Sequence, residues 1–359
     1  MRSLRARAFT IPTELPESDG TVEWESTTIV VVEADADGAR GIGYTYGHGA
    51  VADLVKTKLV PLVEGGDVLA VGAAWKTMVR AVRNVGWPGM AACAISAVDI
   101  ALWDLKAQVL GLPLVVALDQ VHESTPVYGS GGFCSYSQAQ LAEQLSGWVQ
   151  QGIPRVKMKV GRHPEEDLGR VETARKAVGD DVELFVDANG AYERKEALEW
   201  AETFASLGVR WLEEPVSSDD LDGLRLVRDR APAGLEVAAG EYGYRPSYFD
   251  RMLEAQAVDC LQADVTRCGG ITGFLLVAAL CDARGIDLSA HCAPQVSAHA
   301  CTAAPRLRHL EYFHDHVRIE HMLFDGVLEP APGGILVPDR STPGMGLTLR
   351  EADAARWAA

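Results

Sequence analysis

Basic residues are in short supply: 33 Lys and Arg stand against 50 Asp and Glu in 359 residues, a formal net charge of -17. A chain of that sign is a poor partner for nucleic acid or an anionic membrane, which leaves small molecules. An anionic small molecule stays possible, because a metal ion and a few lysines set the field locally. The seven cysteines show no CxxC spacing and are odd in number, so reduced thiols of a cytoplasmic protein are expected. No apolar stretch follows Arg2, Arg5 and Arg7, so neither a signal peptide nor a membrane span is expected. A dinucleotide glycine loop is missing too. Gly129-Ser-Gly-Gly132 is too short, and no helix opens directly from it.

What is present has a rhythm. Arg5–Ile11, Thr27–Glu33 and Arg40–Tyr46 read as three strands of a small antiparallel sheet, and Pro12–Glu25, rich in Glu, Asp, Pro and Gly, as a mobile loop. From Ala50 the pattern turns helical. Its clearest amphipathic stretch is Ala91–Val109, with Ile95, Val98, Leu102 and Leu105 spaced by three and four, stopped by Gly111-Leu-Pro113. Strands followed by helices indicate an α+β domain, residues 1–118.

After Leu118 strand and helix alternate. Strands are expected at Thr125–Gly129, Arg155–Val160, Glu183–Asp187, Arg210–Glu213, Glu236–Ala239, Cys260–Ala263, Asp287–Ala290 and His309–Phe313. Eight strand–helix units, the last incomplete, point to a (β/α)8 barrel over residues 119–321 with its site at the C-terminal strand ends. An open doubly wound sheet is the runner-up. The loop-rich segment 322–359 is expected to pack back on the first domain as a tail.

The strand ends carry the chemistry. Asp187, Glu213 and Glu241 each close an apolar run and lie 26 and 28 residues apart, one strand, one helix and two loops. Three carboxylates on three successive strands make an oxygen-rich cluster suited to Mg2+. Taken singly, each acid could equally be solvated or cap a helix. Lys157 and Lys159 are i and i+2 on the second barrel strand and share a face. Adjacent ammonium groups should depress each other's pKa and ready one as a base. Asp264 and His291 end consecutive strands, where a carboxylate can orient an imidazole. Glu311 on the eighth strand, near His291 and a substrate carboxylate, could carry a proton and donate a hydrogen bond.

Together these motifs resemble the enolase superfamily, specifically its mandelate racemase subgroup. The pattern is KxK on barrel strand two, Asp, Glu and Glu on strands three to five, an Asp–His pair on six and seven, and a Glu on eight. Every position is matched, over nearly the whole chain. The resemblance implies a modified, enolase-like TIM-type barrel with an N-terminal α+β capping domain completed by the tail. It assigns Asp187, Glu213 and Glu241 to Mg2+, with Glu213 rather than Glu214 as the ligand. Lys159 and His291 fall to acid–base work, and Asn189 and Lys157 to substrate contacts. It further implies abstraction of the proton alpha to a carboxylate, with Mg2+ and Lys157 stabilising the enediolate. The outcome expected is dehydration of an acid sugar to a 2-keto-3-deoxy acid, the alternative being a racemase or epimerase of a 2-hydroxy acid. A homo-oligomer, dimer or octamer, is expected.

In such proteins the capping loops set specificity, here 12–25 and 43–50. The first holds Glu14, Glu17, Asp19, Glu23 and Glu25 and no basic residue. A neutral polyol end of the substrate suits it better than a second carboxylate. Two rivals fare worse. An amidohydrolase needs HxH on the first barrel strand, but His314-Asp-His316 lies past the eighth. A non-enzymatic relative should have lost a ligand or a base, and none is missing.

Overall fold

A computed structural model describes residues 1–359. Eight strands close a parallel barrel: β4 (Thr125–Ser130), β5 (Arg155–Lys159), β6 (Glu183–Asp187), β7 (Val209–Glu213), β8 (Glu236–Ala239), β9 (Cys260–Ala263), β10 (Asp287–Ala290) and β11 (Leu307–Phe313), with β11 pairing β4. The observed strands depart from the expected ones by two residues at most. These strands form because short apolar runs, buried on both sides by barrel interior and outer helices, satisfy their backbone only with parallel neighbours. Tyr128, Phe185, Trp211, Ala238 and Cys260 fill the barrel as one buried cluster.

The eighth unit, expected to be incomplete, carries its helix at His314–Leu323. His314 and His316 therefore open a helix, where residues two apart do not face each other. His316 stacks on Tyr46 with ring centroids 3.4 Å apart.

The cap is the antiparallel sheet β1 (Ser3–Ser18), β2 (Glu23–Ala36) and β3 (Ala39–Tyr46) over the helix Met90–Val109. That helix is less one-sided than its spacing suggests, being buried from Ala91 to Leu102 without a break. It is wedged between the sheet and the barrel. Gly43 explains the closeness on the sheet side, since a Cβ there would stand 2.2 Å from Ala97 O.

Both lid loops need correction. Pro12–Glu25 is mostly strand: β1 and β2 run out as a hairpin, with one irregularity between Pro12 and Glu17. Its acids hold it together. Asp19 Oδ1 accepts from Thr21 N and Val22 N at 2.7 Å each, and buried Glu17 accepts from Trp24 Nε1 at 3.0 Å. The hairpin is pinned to the barrel by Cys134 N donating to Ser18 O and Ser135 Oγ to Pro16 O. Of 43–50, Gly43–Tyr46 belongs to β3.

On the barrel side the cap grips the loop after β9. Ser96 Oγ accepts from Gly269 N and Gly270 N at 3.0 Å each. Asp99 accepts from Thr272 N at 2.8 Å and Thr272 Oγ1 at 2.7 Å. The C-terminal segment touches both parts: Ile335–Leu336 pairs with β4, and Arg7 is bidentate to Glu351.

Candidate active site

Strand geometry brings the nine expected residues into one connected cluster. Lys157 and Lys159, two apart on β5, both point into the barrel mouth, as do Trp211 and Glu213 on β7. Lys157 Nζ, fully buried, contacts Glu213 Oε1, Glu311 Oε1 at 2.9 Å and Asp187 Oδ2 at 3.1 Å. Lys159 Nζ lies 2.5 Å from Asp187 Oδ2. Asn189, at φ 47, turns its own N–H onto Asp187 Oδ1. Asp264 Oδ2 meets His291 Nδ1 at 2.7 Å, and His291 Nε2 faces Glu241 Oε2 at 3.2 Å and Glu311 Oε2 at 3.4 Å.

The lysines correct the expectation of lowered pKa values. Burial does push both down, but the carboxylates outweigh burial and the mutual repulsion, so both are raised. Glu311 is corrected in the opposite sense. Burial alone would protonate it, yet Lys157, His291, Lys159 and the Ser130 hydroxyl, which donates at 2.6 Å, hold it ionised. Glu311 is thus an acceptor. Burial lowers His291 as well, but Cys292, Glu241, Glu311 and Asp264 carry it above the ordinary range.

Oxygens of Asp187, Glu213 and Glu241 lie within 4.8 Å of one another. The set fits a hard divalent cation: every donor is a buried carboxylate, and the three converge from neighbouring strand ends. Burial and the Asp187 charge push Glu213 up to about 8, a penalty that a cation would relieve. Glu214 is buried beside them and falls outside this group.

The cluster floors a cleft of about 460 Å³. Lys159, Asn189, Glu241, His291 and Glu311 line its base, and Asp19, Val22, Trp24, Thr27, Tyr46 and His316 its outer walls. A larger groove of about 860 Å³ lies at the opposite barrel end, among Gly179–Glu183 and Ser206–Arg210. Its Arg175 is spent on backbone carbonyls, and no reactive cluster converges there.

Four contributors escaped the sequence reading. Trp211 Nε1 donates to Glu213 Oε2 at 2.9 Å, Ser130 to Glu311, and Arg267 bridges Asp264 and Glu241 at 3.4 Å each. Cys292 Sγ lies 3.3 Å from both His291 Nε2 and Glu311 Oε2. Trp211 could have been found, because it stands two residues before Glu213 on one strand face.

A parallel barrel with a cap over its C-terminal end, a carboxylate cluster able to hold a metal and flanking Lys and His side chains defines a class: barrel enzymes that pair a metal ion with acid–base side chains. The comparisons narrow it. Residues 6–118 match the mandelate racemase / muconate lactonizing enzyme N-terminal domain, and residues 140–353 the enolase C-terminal domain-like family. The chain belongs to the mandelate racemase / muconate lactonizing enzyme family of the enolase superfamily.

Among relatives, the 3,6-anhydro-alpha-L-galactonate cycloisomerase of Streptomyces coelicolor is 34% identical, covering 94% of this chain and 93% of its own. The L-talarate/galactarate dehydratase of Salmonella typhimurium is 31% identical, with 97% and 88% covered. A mandelate racemase/muconate lactonizing enzyme-like protein from Rubrobacter xylanophilus superimposes with TM-score 0.98 at 56% identity, covering 100% of this chain and 99% of its own. A Streptomyces coelicolor racemase solved with bound magnesium gives 0.93 at 31%, with 100% and 99% covered. Mg2+ is the cofactor, and the buried Asp187, Glu213 and Glu241 carboxylates form a cluster able to hold such an ion.

Proposed function

We propose that the protein is a dehydratase of acid sugars, removing the proton alpha to a carboxylate and expelling the beta hydroxyl to leave a 2-keto-3-deoxy acid. One observation carries this reading: Lys159, ending β5, and His291, just past β10, border the cleft that Glu241 of the carboxylate cluster also lines. Asp187 holds Lys159 protonated until its charge is neutralised by a divalent cation. Lys159 then takes the alpha proton as general base, and His291, oriented by Asp264, protonates the departing hydroxyl. Lys157 lends fixed positive charge to the enediolate, and Asn189 hydrogen-bonds the substrate. Mg2+ held by Asp187, Glu213 and Glu241 would add a second positive charge beside the substrate carboxylate.

The outer walls favour an acid with one carboxylate over a diacid. The hairpin presents Asp19, Val22, Trp24 and Thr27 there but no Lys or Arg. His316 is neutral, since burial lowers it to about 3. A polyol chain finds hydroxyl and aromatic partners on such a wall. A second carboxylate would meet no cation on the hairpin, and the one arginine lining the cleft, Arg267, is paired with Asp264 and Glu241.

The second reading, a racemase or epimerase, uses the same two groups, with His291 returning the proton to carbon from the other side. Proton NMR in D2O with Mg2+ and a panel of aldonates and aldarates separates the two. A new 3-deoxy methylene signal from an aldonate is the expected result. Alpha-proton exchange without that signal would establish the isomerase instead.

A further inference from the structure

Proton transfer at His291 leaves one piece of geometry unused. His291 Nε2, Cys292 Sγ and Glu311 Oε2 form a nearly equilateral triangle with sides of 3.3, 3.3 and 3.4 Å. A tetrahedral ion with bonds of about 2.0 to 2.3 Å needs its ligands about 3.3 to 3.6 Å apart. The triangle meets that requirement without any side chain moving. All three residues are buried, and all three line the substrate cleft.

Two further details fit a metal. His291 Nδ1 is engaged by Asp264, which turns the lone pair of a neutral imidazole to Nε2, inside the triangle. That is the carboxylate–histidine arrangement typical of metal-bound imidazole. Cys292 and Ala293 both have left-handed backbones, at φ 50 and 46, a costly conformation for residues with a Cβ. The turn sets the thiol beside the imidazole and the Glu311 carboxylate.

We propose that His291, Cys292 and Glu311 form a second metal site, selective for a thiophilic divalent ion such as Zn2+ or Cd2+, which silences the enzyme by occupying His291 Nε2. The Asp187, Glu213 and Glu241 set offers oxygen alone and suits Mg2+, while sulfur and nitrogen suit the softer ions. On binding, the Cys292 thiol proton and the proton on His291 Nε2 both pass to solvent, and the sulfur coordinates as thiolate. Inhibition rests on the proton-transfer role given to His291; binding does not.

Cd2+ titrated into Mg2+-saturated protein tests the site without turnover, through the ultraviolet thiolate-to-cadmium charge-transfer band. The expected result is a band that saturates at one equivalent in the wild type and in Cys134→Ser, and is lost in Cys292→Ser. Zn2+ inhibition should weaken by at least about tenfold in the same variant. Cys292→Ala is the second variant should serine misfold, with a Mg2+-dependent rise in melting temperature as the check on folding. No band in the wild type, or an undiminished band in both Cys292 variants, would overturn the site. Zn2+ inhibition that excess Mg2+ relieves and that is equally strong in the variants would place the ion among the oxygens and overturn the inhibitory role.

Discussion

Asp264 Oδ2 lies 2.7 Å from His291 Nδ1 while its other oxygen accepts from Thr266 N and Thr266 Oγ1, each at 2.7 Å. The carboxylate that orients the imidazole is itself fixed by its own loop. Asp264→Asn keeps the shape and removes the charge, so kcat should fall by about 10²- to 10⁴-fold. The Mg2+-dependent rise in melting temperature should stay, because Asp264 is outside the carboxylate triad. Steady-state kinetics with thermal melts separate the two effects.

His291→Asn and Lys159→Met should differ in kind. With Lys159 as base and His291 as acid, the His291 variant retains alpha-proton exchange in D2O and loses product formation by about 10²- to 10⁴-fold. The Lys159 variant loses both. Exchange that survives in Lys159→Met and vanishes in His291→Asn would reverse the two roles.

Three buried carboxylates in mutual contact repel, so the divalent cation should be a structural asset as well as a catalytic one. Saturation at about 100 times Kd should stabilise the fold by about 2.7 kcal/mol. A chelator should remove that gain together with turnover. Glu241→Gln should abolish the Mg2+-dependent melting shift. Trp211→Phe, which removes the N–H held by Glu213 together with part of a buried ring system, should weaken Mg2+ by about 10- to 100-fold.

Asp99 ties the cap to the loop after β9. Asp99→Ala would strand the half-buried Thr272 donors and should cost about 1 to 3 kcal/mol in urea denaturation. Burial raises the Asp99 carboxyl from 3.8 to about 7, although the Thr272 hydrogen bonds pull it back down. A carboxyl with a raised folded pKa binds its proton more tightly in the folded state. Its contribution is therefore complete below about 3.8 and is lost as pH rises through about 7. Asp99→Asn cannot ionise, so the stability of wild type relative to this variant should decline between about pH 4 and 7. A flat difference would mean that the Thr272 and Ile271 donors keep the carboxyl charged.

Much of this architecture was legible in the residues. Barrel strands announce themselves because short apolar runs ending in Asp187, Glu213 or Glu241 have few other places to go. Position i+2 on β5 correctly aimed two lysines at one mouth. Their pKa shifts were misjudged because one strand says nothing of its neighbours, and Asp187, Glu213 and Glu311 arrive from three others. The hairpin was misread for a related reason. Glu17 and Asp19 look like solvated loop residues until Trp24 and the Thr21 and Val22 amides, folded back on them, supply donors. Arg267 and Cys292 carry no pattern of their own, being visible only once β8, β9, β10 and β11 are side by side.

Lys157 answers to three carboxylates at once, and none of the four can be exchanged singly without stranding a buried charge. Heritable change in such a floor has to be concerted and is therefore rare. The hairpin above meets the cleft through exposed Val22, where one neutral side chain can replace another at little cost. A lineage built on this plan would hold its reaction constant over long spans while its choice of acid drifts freely.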